Sequence, residues 1–492
     1  MKNGFDNEKY IQLQAKSIRE RIDKFGGKLY MEFGGKLFDD HHASRVLPGF
    51  QPDAKIKMLQ ELQEDVEILI VINALDIVSN KTRSDIDIPY SEDVMRLVDI
   101  FHDMGFYVGS VVITRYAEQL EVDDYIGHLE AMGVKTYKHR TIEGYPYDID
   151  HLVSDDGFGK NEYIETKKPL IVVTAPGPGS GKMATCLSQL YHDYKKGIKS
   201  GYAKFETFPV WNLPLKHPVN IAYEAATVDL EDTNAIDPFH LEAYGKTATN
   251  YNRDIESFPV LQEMMTRIMG SCPYKSPTDM GVNMVGRAII DNSVVCNASC
   301  GEIIRRYYNL AVKDMRKGNA KDQVAAVKIL MKQVGVDPEK FPLRQAALER
   351  ERKTGHPAGA MMLPNGDIIT GKTTDLLGCA SSLLLNALKR VANVEDVEII
   401  KDEAIEPISK LKTGVFHSKN PRLHSDETLL ALSASSSSEP RAQEMINAVS
   451  ELRGCDAFFS VILSNADEHL YRTLGINLCS EPKFERTNLY HR

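Results

Sequence analysis

The chain of 492 residues has seven cysteines, one tryptophan and no apolar run as long as a membrane span. The cysteines (Cys186, Cys272, Cys296, Cys300, Cys379, Cys455, Cys479) are odd in number and scattered, which excludes a disulfide framework and predicts reduced thiols. Only Cys296 and Cys300 are close. Without a second ligand pair, C-x-x-x-C reads as two thiols on one helix face rather than a zinc site. The opening "MKNGFDNEKYIQ" has neither the basic nor the apolar region of a secretory signal, so a soluble, cytoplasmic protein is expected. The net charge of −10 and pI near 5.8 argue against a broad grip on nucleic acid or on an anionic membrane. A small phosphorylated ligand in a local basic pocket is the expected partner, and self-association stays open. Also missing are the nucleophile elbow G-x-S-x-G, the zinc signature H-E-x-x-H and a dinucleotide fingerprint after a strand.

What is present is material for packed cores. Hydrophobic residues make up 42% of the chain and charged residues 26%, and the length suits about two to four domains. A first helix is legible from Ile11, Ala15, Ile18, Ile22 and Phe25, ending at Gly26-Gly27. Strands then alternate with helices: "KLYMEF", "VEILIVINAL", "FYVGSVVIT", "VKTYKH" and "LIVVT" are separated by helical patterns such as "SEDVMRLVDIFHDMG". That alternation predicts an α/β fold, a mostly parallel sheet covered by helices on both faces. Residues 200–290 show little periodicity, which means either long functional loops or hidden secondary structure. The expected organisation is an α/β domain over 1–300, a helical segment over 301–352 and a smaller α/β subdomain over 353–492.

The strand "LIVVT" runs into "APGPGSGKM", a variant phosphate-binding turn over 175–183. Gly177, Gly179 and Gly181 permit positive-φ turns and close backbone approach, Lys182 suits a phosphate, and Ser180 and Thr185 offer hydroxyls at a helix start. The competing reading is a plain strand-to-helix turn with a solvated lysine. Against the strict pattern G-x-x-x-x-G-K-[ST], Pro176 replaces a glycine and Met183 replaces the hydroxyl that holds magnesium. The cofactor is left unassigned, with ATP or another nucleotide, with or without magnesium, as the candidate, and the metal ligands are left open. "GDIITGKT" (Gly366–Thr373) satisfies the pattern letter for letter, yet its β-branched interior and hairpin context predict a strand.

Chemistry-bearing residues crowd the stretch after the loop helix. Lys204, Glu206, Asp237, His240 and Arg253 are the candidate catalytic groups: Lys204 or Arg253 to offset developing charge, and Glu206, Asp237 or His240 to position or deprotonate an acceptor. No clean acidic strand follows the loop, and "VNIAYEAATVDL" is the nearest, with Glu224 or Asp229 as its acid. A second anion-binding turn at Gly34, Gly35 and Lys36 is possible on composition, with Asp39, Asp40, His41, His42 and Arg45 behind it.

The segments "TAPGPGSGKMATCLSQLYHDYKKG", "GYAKFETFPVWNLPLKHPVN", "DPFHLEAYG" and "YKSPTDMGVNM" resemble a bacterial family of proteins of about this length, catalogued as a domain of unknown function. The resemblance spans essentially the whole chain and implies a cytoplasmic bacterial protein with an α/β front part and a separate C-terminal subdomain. The hairpin–helix–strand order of that subdomain is similar to cytidine-deaminase topology. Its zinc motifs H-x-E and P-C-x-x-C are absent, so deamination is not implied. The residues support a phosphorylated-ligand binder, with phosphoryl or nucleotidyl transfer as its chemistry; the alternative is a non-catalytic metabolite sensor or assembly protein using the same loop.

Overall fold

The computed structural model describes residues 2–35, 37–38, 40–83, 88–395, 397 and 399–485. The chain divides into two compact units, one of Asn3–Glu224 with Glu231–Cys296, the other of Met1–Lys2, Ala225–Leu230 and Asn297–Arg492. No described helix is long and apolar enough to cross a membrane, and none of the seven cysteines forms a disulfide.

The first unit is built on seven strands: β1 (Leu29–Phe33), β2 (Val66–Asn73), β3 (Tyr107–Tyr116), β4 (Thr136–Arg140), β5 (Leu170–Thr174), β6 (Gly201–Phe205) and β7 (Gly281–Val282). They form one sheet in the order β7-β6-β1-β5-β2-β3-β4, parallel throughout. All eight residues of β2 are buried, the mark of a strand covered on both faces. Chief among the covering helices are α1 (Asn7–Lys24), α2 (Tyr90–Asp103), α3 (Leu120–Ala131), α4 (Lys182–Lys195) and α5 (Asn252–Met269). The expected α/β architecture is thus present. Strand β6 and helix α5 lie inside the stretch that sequence periodicity left unread. In β6 a charged Lys204 breaks the apolar run, and in α5 Pro259 sits mid-helix.

The order of the strands opens a crevice at the loop. From β5 the chain crosses over β1 to reach β6, whereas from β2 it moves the opposite way to β3. Right-handed crossovers send these two connections to opposite faces and leave a gap at the carboxyl edge, where α/β sheets bind ligands. Helix α4, which follows the loop, is anchored at its far end by Asp193. That carboxylate is fully buried, pairs with Lys28 (2.9 Å), and accepts hydrogen bonds from the hydroxyls of Tyr30 (3.0 Å) and Tyr163 (3.0 Å).

In the second unit a four-stranded sheet runs in the order β9-β8-β10-β11, with β8 (Ala358–Met362), β9 (Ile368–Lys372), β10 (Asp456–Phe459) and β11 (Asn477–Ser480). Helix α6 (Cys379–Val391) packs on it so closely that a Cβ at Gly371 would overlap the helix backbone at Leu383. The literal match "GDIITGKT" is therefore β9 and its turn: Gly366 takes φ +91° and Lys372 ends a strand paired antiparallel with β8. Its extended interior cannot curl around an anion.

Gly177 in the loop has no room for a side chain, because a Cβ there would overlap the hydroxyl of Tyr90 at the start of α2. Gly177→Ala is expected to cost about 1–3 kcal/mol in chemical denaturation. Combined with Tyr90→Ala, the loss should fall short of the sum of the single losses, since the overlap is shared. Strict additivity would show that the two residues do not meet.

Candidate functional site

The loop between β5 and α4 is tied to the sheet through its carbonyl groups. Asn73, at the end of β2, donates from Nδ2 to the Gly179 carbonyl (3.3 Å), and Thr114, near the end of β3, donates from Oγ1 to the Ser180 carbonyl (2.6 Å). A trans peptide points its N–H away from its C=O, so the amides of Ser180 and Gly181 are directed away from these anchors. Gly181 adopts φ +92° against Thr114, where a Cβ would lie 2.9 Å from the threonine methyl. Gly179 adopts φ +75° and nothing lies within 4 Å of its missing Cβ.

Helix α4 starts at this point without a side-chain cap. Its first backbone bond back to the loop is from Thr185 N to Gly181 O (2.9 Å), and the amides of Gly179 to Ala184 have no partner among the described residues. Ser180 Oγ and Thr185 Oγ1 are likewise buried without a partner, the two residues being 4% and 0% exposed. Buried hydroxyls are normally hydrogen-bonded, so two unsatisfied ones beside an uncapped 14-residue helix are unusual. Gly177, Gly179, Ser180, Gly181, Lys182 and Thr185 all belong to this one turn. Met183 packs against the core.

A second cluster stands on the same face of the sheet. Side chains alternate along a strand, so Tyr30 and Glu32 of β1 share a face with their register partners Tyr202 and Lys204 of β6. Tyr30 reaches Asp193 on α4, which fixes that face as the one under the loop helix. Tyr202 donates from its hydroxyl to Glu32 Oε2 (2.7 Å), and Lys204 pairs with Asp254 in the first turn of α5 (2.6 Å). Glu206, two residues past Lys204, packs against Gly281, where a Cβ would lie 2.6 Å from its carboxylate. Burial alone would lower Lys204, but Asp254, Glu32 and Glu206 more than reverse it and hold the ammonium above its usual range. Burial, then the charge of Asp254, push Glu206 up to about 8 against the pull of Lys204. Cys186, one turn into α4, joins the clusters: burial drives its thiol well up, Glu32 adding to the rise and Lys182 opposing it.

Of the five candidate catalytic residues, Lys204 and Glu206 are thus brought together. Arg253 lies beside Asp254 in sequence but turns to Asp232 (2.8 Å), and its side chain is 66% exposed. Asp237 caps the short helix Pro238–Tyr244: Oδ1 accepts from His240 N (3.0 Å) and Oδ2 from Thr278 Oγ1 (2.6 Å), so both oxygens have partners. His240 contacts Ser276 Oγ through Nδ1 (3.1 Å). In the other stretch, Lys36 and Asp39 lie outside the described residues. Asp40 caps the helix His41–Val46 and pairs with the buried Lys55 (2.8 Å). Cys296 and Cys300 share the helix Asn292–Lys317. Among the described residues no group of three or more His, Cys, Asp or Glu is arranged to hold a metal ion.

Glu32 is the site residue that sequence reasoning missed, whereas Asp254 lies in the polar stretch after the loop that was read as a cleft and was only left out of the candidate catalytic groups. An acid was sought downstream of the loop, but neither Glu224 nor Asp229 is on the sheet: Glu224 lies on the helix Pro218–Ala226, and Asp229 pairs with Arg306 (2.9 Å). The strand that separates β5 from β6 is β1, earlier in the chain, and its acid is Glu32. The signal was the lone glutamate in the otherwise apolar "LYMEF".

Comparison with known proteins gives the chain's kinship over its full length. Residues 3–335 match the family described as Domain of unknown function DUF1846, N-terminal, and residues 339–490 match its C-terminal counterpart. A UPF0371 protein of Corynebacterium diphtheriae is 53% identical over 495 residues, covering 99% of each chain. One from Corynebacterium efficiens is 53% identical over 499 residues, and one from Streptococcus pneumoniae serotype 19F is 51% identical over 492, both covering 100% of each chain. The two matched regions and these full-length relatives place the chain in the bacterial DUF1846 (UPF0371) family.

Proposed function

We propose that the chain binds a small phosphorylated ligand, a nucleotide or a phosphorylated metabolite, on the loop from Gly177 to Lys182. The observation that carries this reading is the row of unpartnered amides from Gly179 to Ala184 at an uncapped helix start, with the buried hydroxyls of Ser180 and Thr185 unsatisfied beside it. Backbone amides at the positive end of a helix dipole are a ready anion site, and a phosphoryl group would satisfy donors that the protein itself leaves open. Lys182 adds a half-buried positive charge and has no ion pair among the described residues.

Phosphoryl transfer is the chemistry these groups suit. Lys204, paired with Asp254, offsets charge, and Glu206, raised to about 8 by burial and then by the charge of Asp254, handles a proton near neutrality, as a general acid must. A proton-handling carboxyl on the face of the loop helix supports an enzyme over a passive sensor. Met183, packed into the core, supplies no hydroxyl for magnesium, so chelation should weaken binding less than in an ordinary phosphate-loop protein.

Thermal-shift screening of nucleotides and phosphorylated metabolites finds the ligand, since one present at a hundredfold its Kd stabilises by about 2.7 kcal/mol. Lys182→Ala should then lower affinity roughly tenfold to a hundredfold, the loss of a charge-assisted contact worth about 1.5–3 kcal/mol. Lys372→Ala, at the end of β9, should leave affinity unchanged. The opposite pattern would make the literal motif the binding loop.

Glu206 gives a pH signature. Its carboxyl is raised from 4.5 to about 8, so over that window the folded chain holds a proton that the unfolded chain has released. The stability this provides is full below the lower value and is lost as pH climbs through the upper one. Glu206→Gln keeps the uncharged form, so urea unfolding between about pH 6 and about pH 9 should show the variant gaining on the parent as pH rises. Parallel pH profiles would show that Glu206 titrates normally.

A further inference from the structure

The groups beside the loop bear on which phosphorylated ligand it would take. On the face under α4 the sheet presents Glu32, Lys204 and Glu206, with Asp254 reaching in from α5. Tyr202 occupies only Oε2 of Glu32, and its other oxygen has no partner among the described residues. Carboxylates accept hydrogen bonds from hydroxyls, and a pair of neighbouring hydroxyls fills a carboxylate well. A nucleobase needs a flat apolar or aromatic surface instead. Within β1 and β6 the aromatic side chains at this end are Phe33 and Phe205, stacked at 4.2 Å on the opposite face, where each is 1% exposed, so the strands themselves give a nucleobase no platform. Tyr145 stands near enough to Glu32 for its hydroxyl to be raised by that charge as well as by burial, and so adds a further polar group. Acids flanking the site also repel the added charge of a polyphosphate, while Lys182 and Lys204 suffice for a single phosphoryl group.

Resting on the loop as the anion site, we propose that the ligand is a phosphomonoester of a polyhydroxylated, sugar-like skeleton. Its phosphoryl group sits on the Gly179–Ala184 amides and its hydroxyls on Glu32, Glu206 and Asp254. Glu32 is a specificity-determining residue that leaves the phosphate contacts alone.

The test is calorimetric titration of the full chain with inorganic phosphate, ribose 5-phosphate, fructose 6-phosphate and ATP. At least one sugar phosphate should bind about tenfold or more tighter than inorganic phosphate, and tighter than ATP. Glu32→Gln should erase that advantage while leaving inorganic phosphate within about twofold, whereas Lys182→Ala should weaken both. If Glu32→Gln does not fold, Glu32→Asp, which withdraws the carboxylate by one methylene, serves in its place with the same expectation. ATP binding more tightly than both sugar phosphates, sugar phosphates binding no better than inorganic phosphate, or Glu32→Gln weakening all ligands equally would each overturn this assignment and leave the loop reading standing. Failure of the parent chain to bind any of the four overturns the loop reading, and this assignment with it.

Discussion

Two hydrogen bonds to carbonyl oxygens set the chemistry of the loop. By holding the Gly179 and Ser180 carbonyls down onto the ends of β2 and β3, Asn73 and Thr114 turn the following amides outward. Without that tether the glycine-rich segment is a flexible turn able to expose carbonyls and amides alike, and its affinity for an anion would depend on which face happened to show. The tether costs the loop nothing in donors, because it uses only acceptors. The close fit of Gly177 under Tyr90 and of Gly181 under Thr114 then leaves no room for side chains that would lift the turn away.

The charged cluster beside the loop is held by mutual compensation. Lys204 and Asp254 are drawn together in a largely buried setting, and isolating either charge there would be costly. Glu206 avoids adding another bare charge by keeping its proton. An arrangement that favours one proton, one ammonium and neighbouring carboxylates responds to a single further charge, and that is the property a site for a charged ligand requires.

Much of this was legible in the sequence and some was not, for reasons that can be assigned to particular residues. The strand "LIVVT" and the alternating glycines declared the loop because burial and positive φ leave strong local marks. "GDIITGKT" misleads only when spelling is read without backbone geometry, since β-branched residues commit it to a strand. Strand β6 was hidden because the charge of Lys204 interrupts its apolar pattern, and α5 was hidden by Pro259. Asp237 and His240 looked like chemistry in a polar stretch, but a cap and its neighbour have the same composition as a site. Glu32 was out of reach of any local reading, because what makes it a neighbour of the loop is the order of strands, a property that no window of sequence contains.

The Asp193 knot has a mechanical consequence. Lys28, Tyr30 and Tyr163 grip one buried carboxylate in the last turn of α4, which ties the tail of that helix to β1 and to the segment leading into β5. A rod clamped at one end transmits a push along its axis instead of sliding under it. Under the proposed reading, an anion drawn to the free end of α4 would pull on the strand that carries Glu32, so the loop and its neighbouring acid would act as two points on a single stiff lever rather than as independently moving parts.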